Sequence, residues 1–302
     1  MNMRGENAAS AASPPRPDHR AVADPATAGD GAPGLKSNLA LRVMAALVLA
    51  PLAIAAAWFG GWFWLGLATI TVIGLFGEWL MIVGNLRPFV LVWGFSSLAA
   101  AGIALGIDNF EIANLCVALG LFAMFLFSAR EHRSWSAIGL AYTAAALFAC
   151  VLLRRDPTHG FIALIFVFLV VWITDILGYF VGRGVGGPKL WIRVSPKKTW
   201  AGAIGGLAGS VAFAAAFSAA GYGSLAPMLL LGTVISVISQ LGDLFESALK
   251  RQFGVKDSSH IIPGHGGLLD RLDGFMAAII AAAVIGYLRS GTGSIGQGLL
   301  VW

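Results

Sequence analysis

From Leu39 onward the chain alternates between long apolar runs and short polar breaks, and this pattern fixes the first expectations. A membrane-crossing helix needs about 20 consecutive, mostly apolar residues. Runs of that length predict nine helices, near 40–58, 62–84, 88–106, 110–128, 135–153, 160–181, 201–220, 225–246 and 269–288. Gly60-Gly61, Arg87-Pro88, Asp108-Asn109, residues 129–134 and Arg154-Arg155-Asp156-Pro157 supply the turns. Two longer connections, 182–200 and 247–268, carry most of the polar side chains. Residues 1–36 are different: they hold five of the 12 prolines and no apolar run, so they read as a disordered tail. No apolar stretch with a cleavage site precedes them, so no signal peptide is expected.

Composition agrees with the pattern. Hydrophobic residues make up 58% of the 302, charged residues 12%, and mean hydropathy is +0.80. So few charges cannot cover a water-soluble surface. The expected class is an all-α polytopic membrane bundle. Its regions are the tail at 1–36, N-terminal transmembrane helices at 37–158, and a catalytic transmembrane region with two loops at 159–302. Cys116 and Cys150 both lie in apolar runs, which excludes a disulfide framework and a cysteine zinc site. With the N-terminus inside, all but three of the 20 Lys and Arg face the cytoplasm, leaving Arg154, Arg155 and Arg289 outside. The positive-inside rule selects that orientation, and it places both polar loops in the cytoplasm.

Carboxylates are scarce, and an intramembrane carboxylate is a functional candidate by default. The candidates are Glu78, Asp175, Asp243, Glu246, Asp270 and Asp273. Asp175 and Asp243 stand near the cytoplasmic ends of their helices, and Asp270 and Asp273, three apart, share one helix face. Carboxylates gathered at one membrane face repel unless cations lie between them, and hard oxygen ligands suit Mg²⁺. The alternative is that each pairs with a neighbouring Lys or Arg, which is the expectation for Glu78. Ser195-Pro196-Lys197-Lys198-Thr199-Trp200 is expected to open a helix, with Ser195 as the cap and Pro196 in its first turn. Free amides and two lysines there would form an anion site, although a Lys-Lys pair also serves as a topology anchor. Lys250, Arg251, Lys256 and Arg271 thicken the basic patch. Pro263-Gly-His265-Gly266-Gly267 has too many glycines for a helix and allows backbone to approach a phosphate. No Cys or second His stands at ligand spacing from His265, so zinc is not expected. The glycines at 182–187 follow a membrane helix and lead to no Gly-Lys-Ser/Thr, so they form neither a Walker loop nor a dinucleotide fingerprint.

Ser247-x-Leu249-Lys250-Arg251, then Lys256-Asp257-x-Ser259, then Ile262-Pro263-x-His265-Gly266-Gly267-Leu268-x-Asp270-Arg271-Leu272-Asp273 resembles the signature of the phosphatidate cytidylyltransferases, the CDP-diacylglycerol synthases. Asp175-x-x-Gly178-Tyr179-x-x-Gly182-Arg183, Ser195 to Gly202 and Gly242-Asp243-Leu244-x-Glu246-Ser247 are also similar to that family. The likeness is specific over about 165–285 and only topological before it; Ser259 and Gly274 depart from the pattern. It implies that CTP and phosphatidate become CDP-diacylglycerol and pyrophosphate, with Mg²⁺, a monovalent cation such as K⁺, and a homodimer in the cytoplasmic (inner) membrane. On this reading Asp175, Asp243, Asp270 and Asp273 hold the cation. Lys197, Lys198, Lys250, Arg251 and Arg271, with Ser195, Thr199, Lys256, Gly266 and Gly267, hold phosphates, and His265 shapes the loop with a proton role open. A secondary transporter that uses the same aspartates for ion coupling is the competing expectation, although no internal repeat supports it.

Overall fold

The computed structural model describes residues 50–259 and 266–302. The expected tail, the first half of the first expected helix and His265 lie outside the described residues. Ten helices and one hairpin follow in order: α1 Ala50–Phe59, α2 Gly61–Val83, α3 Pro88–Gly106, α4 Phe110–Phe127, α5 Arg133–Arg155 and α6 Gly160–Val185, then strands β1 Lys189–Trp191 and β2 Ser195–Thr199, then α7 Trp200–Ala219, α8 Leu225–Gln252, α9 Leu269–Ser290 and α10 Ile295–Leu300. Eight of these, α2 to α9, are long and apolar enough to cross a membrane. The chain is a polytopic helical membrane protein. α1 is the described part of the remaining expected span.

Two expectations are corrected. Ser195 to Thr199 is a strand, not the start of a helix: β2 pairs antiparallel with β1, Lys189 opposite Thr199 and Trp191 opposite Ser195. Pro196 lacks an N–H, which an edge strand of two tolerates. The helix begins at Trp200, and Thr199 caps it by accepting from the Gly202 amide at 3.1 Å. The connections are also shorter than expected, because α6 runs to Val185 and α8 to Gln252. Ser247 to Gln252 contains good helix formers, and the run stops where Gly254 takes a left-handed φ of 72°.

Small residues let the helices approach closely, as membrane helices require when apolar faces do not drive association. On α7, a Cβ at Gly202 would stand 2.6 Å from the Gly178 carbonyl of α6, and one at Gly206 would stand 2.5 Å from the Thr174 carbonyl. Buried hydroxyls join three helices: Thr174 Oγ1 lies 2.7 Å from Ser210 Oγ and 2.9 Å from Ser236 Oγ. α2 packs on α5 through Trp79, which is fully buried; its ring fills the space that Gly139 leaves open, and its Nε1 donates to the Trp135 carbonyl at 2.8 Å. At the other end of the bundle, Arg155 pairs with Asp108. Buried Asp156 accepts from the Thr158 and His159 amides, and from the Gln297 amide of α10 at 2.7 Å.

Candidate active site

The polar groups at the hairpin end fall into two adjoining sets. The first lines a cavity of about 820 Å³ between α6, the hairpin, α7 and α8. Asp175 of α6 and Asp243 of α8 enter it, as do Arg183, Lys189, Lys197 and Lys198. In β2, Lys197 is exposed, while Lys198 is half-buried and forms an ion pair with Asp243. Ser247 Oγ lies 3.4 Å from the other Asp243 oxygen. The strand therefore brings cations to the same place that a helix N-terminus was expected to fill, by a different backbone. Ser195 is half-buried on β2, and Thr199 is committed to capping α7.

The second set lies where α8 meets α9. A Cβ at Gly242 would stand 2.9 Å from the Asp273 carbonyl and 3.4 Å from the Gly274 Cα; one at Gly274 would stand 3.0 Å from the Ser239 carbonyl. This backbone contact sets Asp273 beside Asp243, whose charge repels it, and beside Glu246, which it both repels and meets in a side-chain hydrogen bond. Lys250 Nζ is 3.1 Å from Glu246 Oε1 and 2.6 Å from Asp270 Oδ1. Asp270 Oδ2 accepts from the Gly267 amide at 2.9 Å, the Ser258 amide at 3.1 Å and Ser258 Oγ at 3.0 Å.

The four aspartates thus do not form one cluster of equals. Asp243 and Asp270 each hold a lysine, Asp175 faces the cavity, and Asp273 links the two sets. Among the described residues no three ligand groups converge closely enough to cage an ion as they stand. Glu246 belongs to the centre, and the signal for it in the sequence is its position four residues before Lys250, on the same helix face. Its carboxyl group is buried between Lys250, 3.1 Å from Oε1, and the carboxyl group of Asp273.

Glu78 of α2 is the larger surprise. It is fully buried and accepts from Ser258 Oγ at 2.8 Å, Ser259 Oγ at 2.7 Å, and the amides of Leu268 at 2.8 Å and Leu269 at 2.7 Å. The expected Lys or Arg partner is replaced here by hydroxyls and amides of a distant loop. Gly267 has no room for a side chain: a Cβ would meet Ser258 Oγ at 1.8 Å and Glu78 Oε2 at 2.5 Å. Its close approach serves protein carboxylates. Gly266 takes a left-handed φ of 81°, which glycine adopts without strain. Arg251, Lys256 and Arg271 are exposed around this loop.

The profile of the Cytidylyltransferase family matches residues 40–288. A phosphatidate cytidylyltransferase of Brucella abortus is 40% identical over 260 residues, which is 83% of this chain and 93% of that protein. One from Bacillus subtilis is 32% identical over 65% of this chain and 87% of its own length, and one from Haemophilus influenzae is 45% identical over 41% and 46%. A match of this extent, together with a site rich in cations and carboxylates, decides against ion-coupled transport: the chain belongs to the cytidylyltransferase family.

Proposed function

We propose that the protein transfers the cytidylyl group of CTP to phosphatidate, forming CDP-diacylglycerol and pyrophosphate. A lipid phosphate oxygen forms the new bond to the α-phosphorus, and the bond from that phosphorus to the oxygen bridging the α- and β-phosphates breaks, that oxygen leaving with the pyrophosphate. The phosphatidate phosphate is already an anion, so no strong general base is required. The barrier is repulsion between two anions. The observation that carries this reading is the 820 Å³ cavity, which has the size of a small-molecule site and places Arg183, Lys189, Lys197 and Lys198 opposite Asp175 and Asp243. The relatives' activity points the same way.

The lysines and Arg183 bind and orient the triphosphate and stabilise the charge on departing pyrophosphate. Lys250 holds Glu246 and Asp270 in place, and Arg251, Lys256 and Arg271 attract anions to the loop. The neighbouring carboxylates of Asp243 and Asp273, with buried Glu246 beside them, are hard oxygen donors whose mutual repulsion a divalent cation would relieve. Mg²⁺ is usually held by one or two carboxylates together with substrate phosphates, so a complete protein cage is not needed. When bound, Mg²⁺ supplies positive charge that lets the two phosphates approach. The same reading places the protein as a homodimer in the cytoplasmic membrane, with the hairpin and both polar loops on the cytoplasmic side and a monovalent cation such as K⁺ assisting. Purified protein should release pyrophosphate from CTP only when phosphatidate is added; release that is independent of the lipid would overturn the assignment.

A further inference from the structure

Glu78 lies on α2, far in the chain from either polar loop, yet its carboxylate touches residues on both described sides of the loop between α8 and α9. Its bonds are distributed evenly. Oε1 accepts one hydroxyl, Ser259, and one amide, Leu268; Oε2 accepts one hydroxyl, Ser258, and one amide, Leu269. Leu268 is the N-cap position of α9 and has no side-chain cap of its own. The first amides of a helix have no partner within it and carry partial positive charge. Glu78 supplies that partner from a helix 190 residues earlier in the chain.

Ser258 extends the arrangement. Its single hydroxyl proton lies between Glu78 Oε2 and Asp270 Oδ2, while its amide also donates to Asp270. Asp270 in turn holds Lys250. A continuous relay of contacts therefore runs from Glu78 through Ser258 and Asp270 to Lys250. We propose that Glu78 is a positioning residue for the transferase: by capping α9 and fixing Ser258, it sets the placement of Asp270, and with it Lys250 and Asp273. This rests on the catalytic reading of the site.

Glu78→Gln tests it with little change in size. A carboxamide offers one acceptor oxygen, so in either orientation its NH₂ faces one of the two backbone amides. Glu78→Gln, Ser258→Ala, the double variant carrying both, Glu78→Asp and the wild type would be compared by phosphatidate-dependent pyrophosphate release, and by hydrogen exchange of the peptide spanning 266–272. Glu78→Gln should exchange faster there and lose roughly 10–100-fold in kcat, the usual effect of removing a partner that orients a ligand, with KM for CTP nearly unchanged. Ser258→Ala should shift both readouts in the same direction by less, the double variant should fall short of the product of the two losses, and Glu78→Asp should recover part of the rate.

Faster exchange with unchanged kcat would make the contact merely structural and overturn the proposal, as would wild-type behaviour in both readouts. If Glu78→Gln fails to fold, Ser258→Ala carries the same test, since among the described residues it leaves the Ser259, Leu268 and Leu269 bonds to Glu78 in place. Exchange is independent of the reaction: a wild type with no phosphatidate-dependent release would refute the proposed function, whatever the exchange data show about Glu78.

Discussion

Lys250 Nζ stands 2.6 Å from Asp270 Oδ1, joining the last turn of α8 to the first turn of α9. The same ammonium lies 3.1 Å from Glu246, and all three side chains are largely buried. One cation thus holds two carboxylates at the point where two helices converge on the loop.

Lys250→Gln should therefore damage both stability and turnover. Removing one partner from a buried ion pair leaves uncompensated charge and costs about 3–5 kcal/mol. A thermal melt in detergent and an assay of pyrophosphate release check the two effects. A melt unchanged from wild type would show that Glu246 and Asp270 do not depend on this lysine.

Lys197 and Lys198 are adjacent but should not behave alike. Lys197 is exposed, whereas Lys198 also neutralises Asp243. Lys197→Gln is expected mainly to raise KM for CTP. Lys198→Gln is expected to raise KM and to lower kcat as well, because it frees a carboxylate inside the cavity. Steady-state kinetics of the two single variants decide the matter, and identical profiles would contradict the division of labour.

Asp273→Asn should abolish turnover while the folded protein stays in the membrane. The substitution keeps size but removes the carboxylate that faces Asp243 and Glu246. Activity of the wild type should vanish with EDTA and return with Mg²⁺. Turnover of the Asp273→Asn protein across a Mg²⁺ titration is the measurement, and near-normal rates with an unchanged Mg²⁺ requirement would remove Asp273 from the cation site.

Gly267→Ala adds a single methyl group, and there is no space for it beside Ser258 and Glu78. Strain or displacement of the loop should follow, with a cost of about 1–3 kcal/mol typical of overpacking and a clear loss of turnover. Gly184→Ala is a suitable control, since a Cβ at that position meets nothing within 4 Å. Equal behaviour of the two variants would show that the loop accommodates the methyl group.

The helical spans were legible because apolar length alone marks them, and the charged candidates were legible because charge is rare in such a chain. What spacing could not give was the backbone that carries them. Ser195-Pro196 has the chemistry of a helix start, but pairing with Lys189 to Trp191, a tertiary event, makes it a strand. The shared face of Asp270 and Asp273 was readable from their separation of three, whereas the lysine held by Asp270 depends on how α8 crosses α9. Glu78 was legible as a charge within a span, but its partners were not: they lie some 180–190 residues away, and no periodicity within α2 points to them.

The hydroxyls of Thr174, Ser210 and Ser236 have a different consequence. In lipid, one apolar helix face is nearly as good a neighbour as another, so leucines and valines give α6 little means of choosing among companions. A hydroxyl contact is short and directional, and it is lost when a helix turns by a third of its circumference. At this crossing Thr174 meets Ser210 of α7 and Ser236 of α8 at once. The trio therefore ties α6, α7 and α8 to one rotational setting that apolar side chains alone would leave loosely defined.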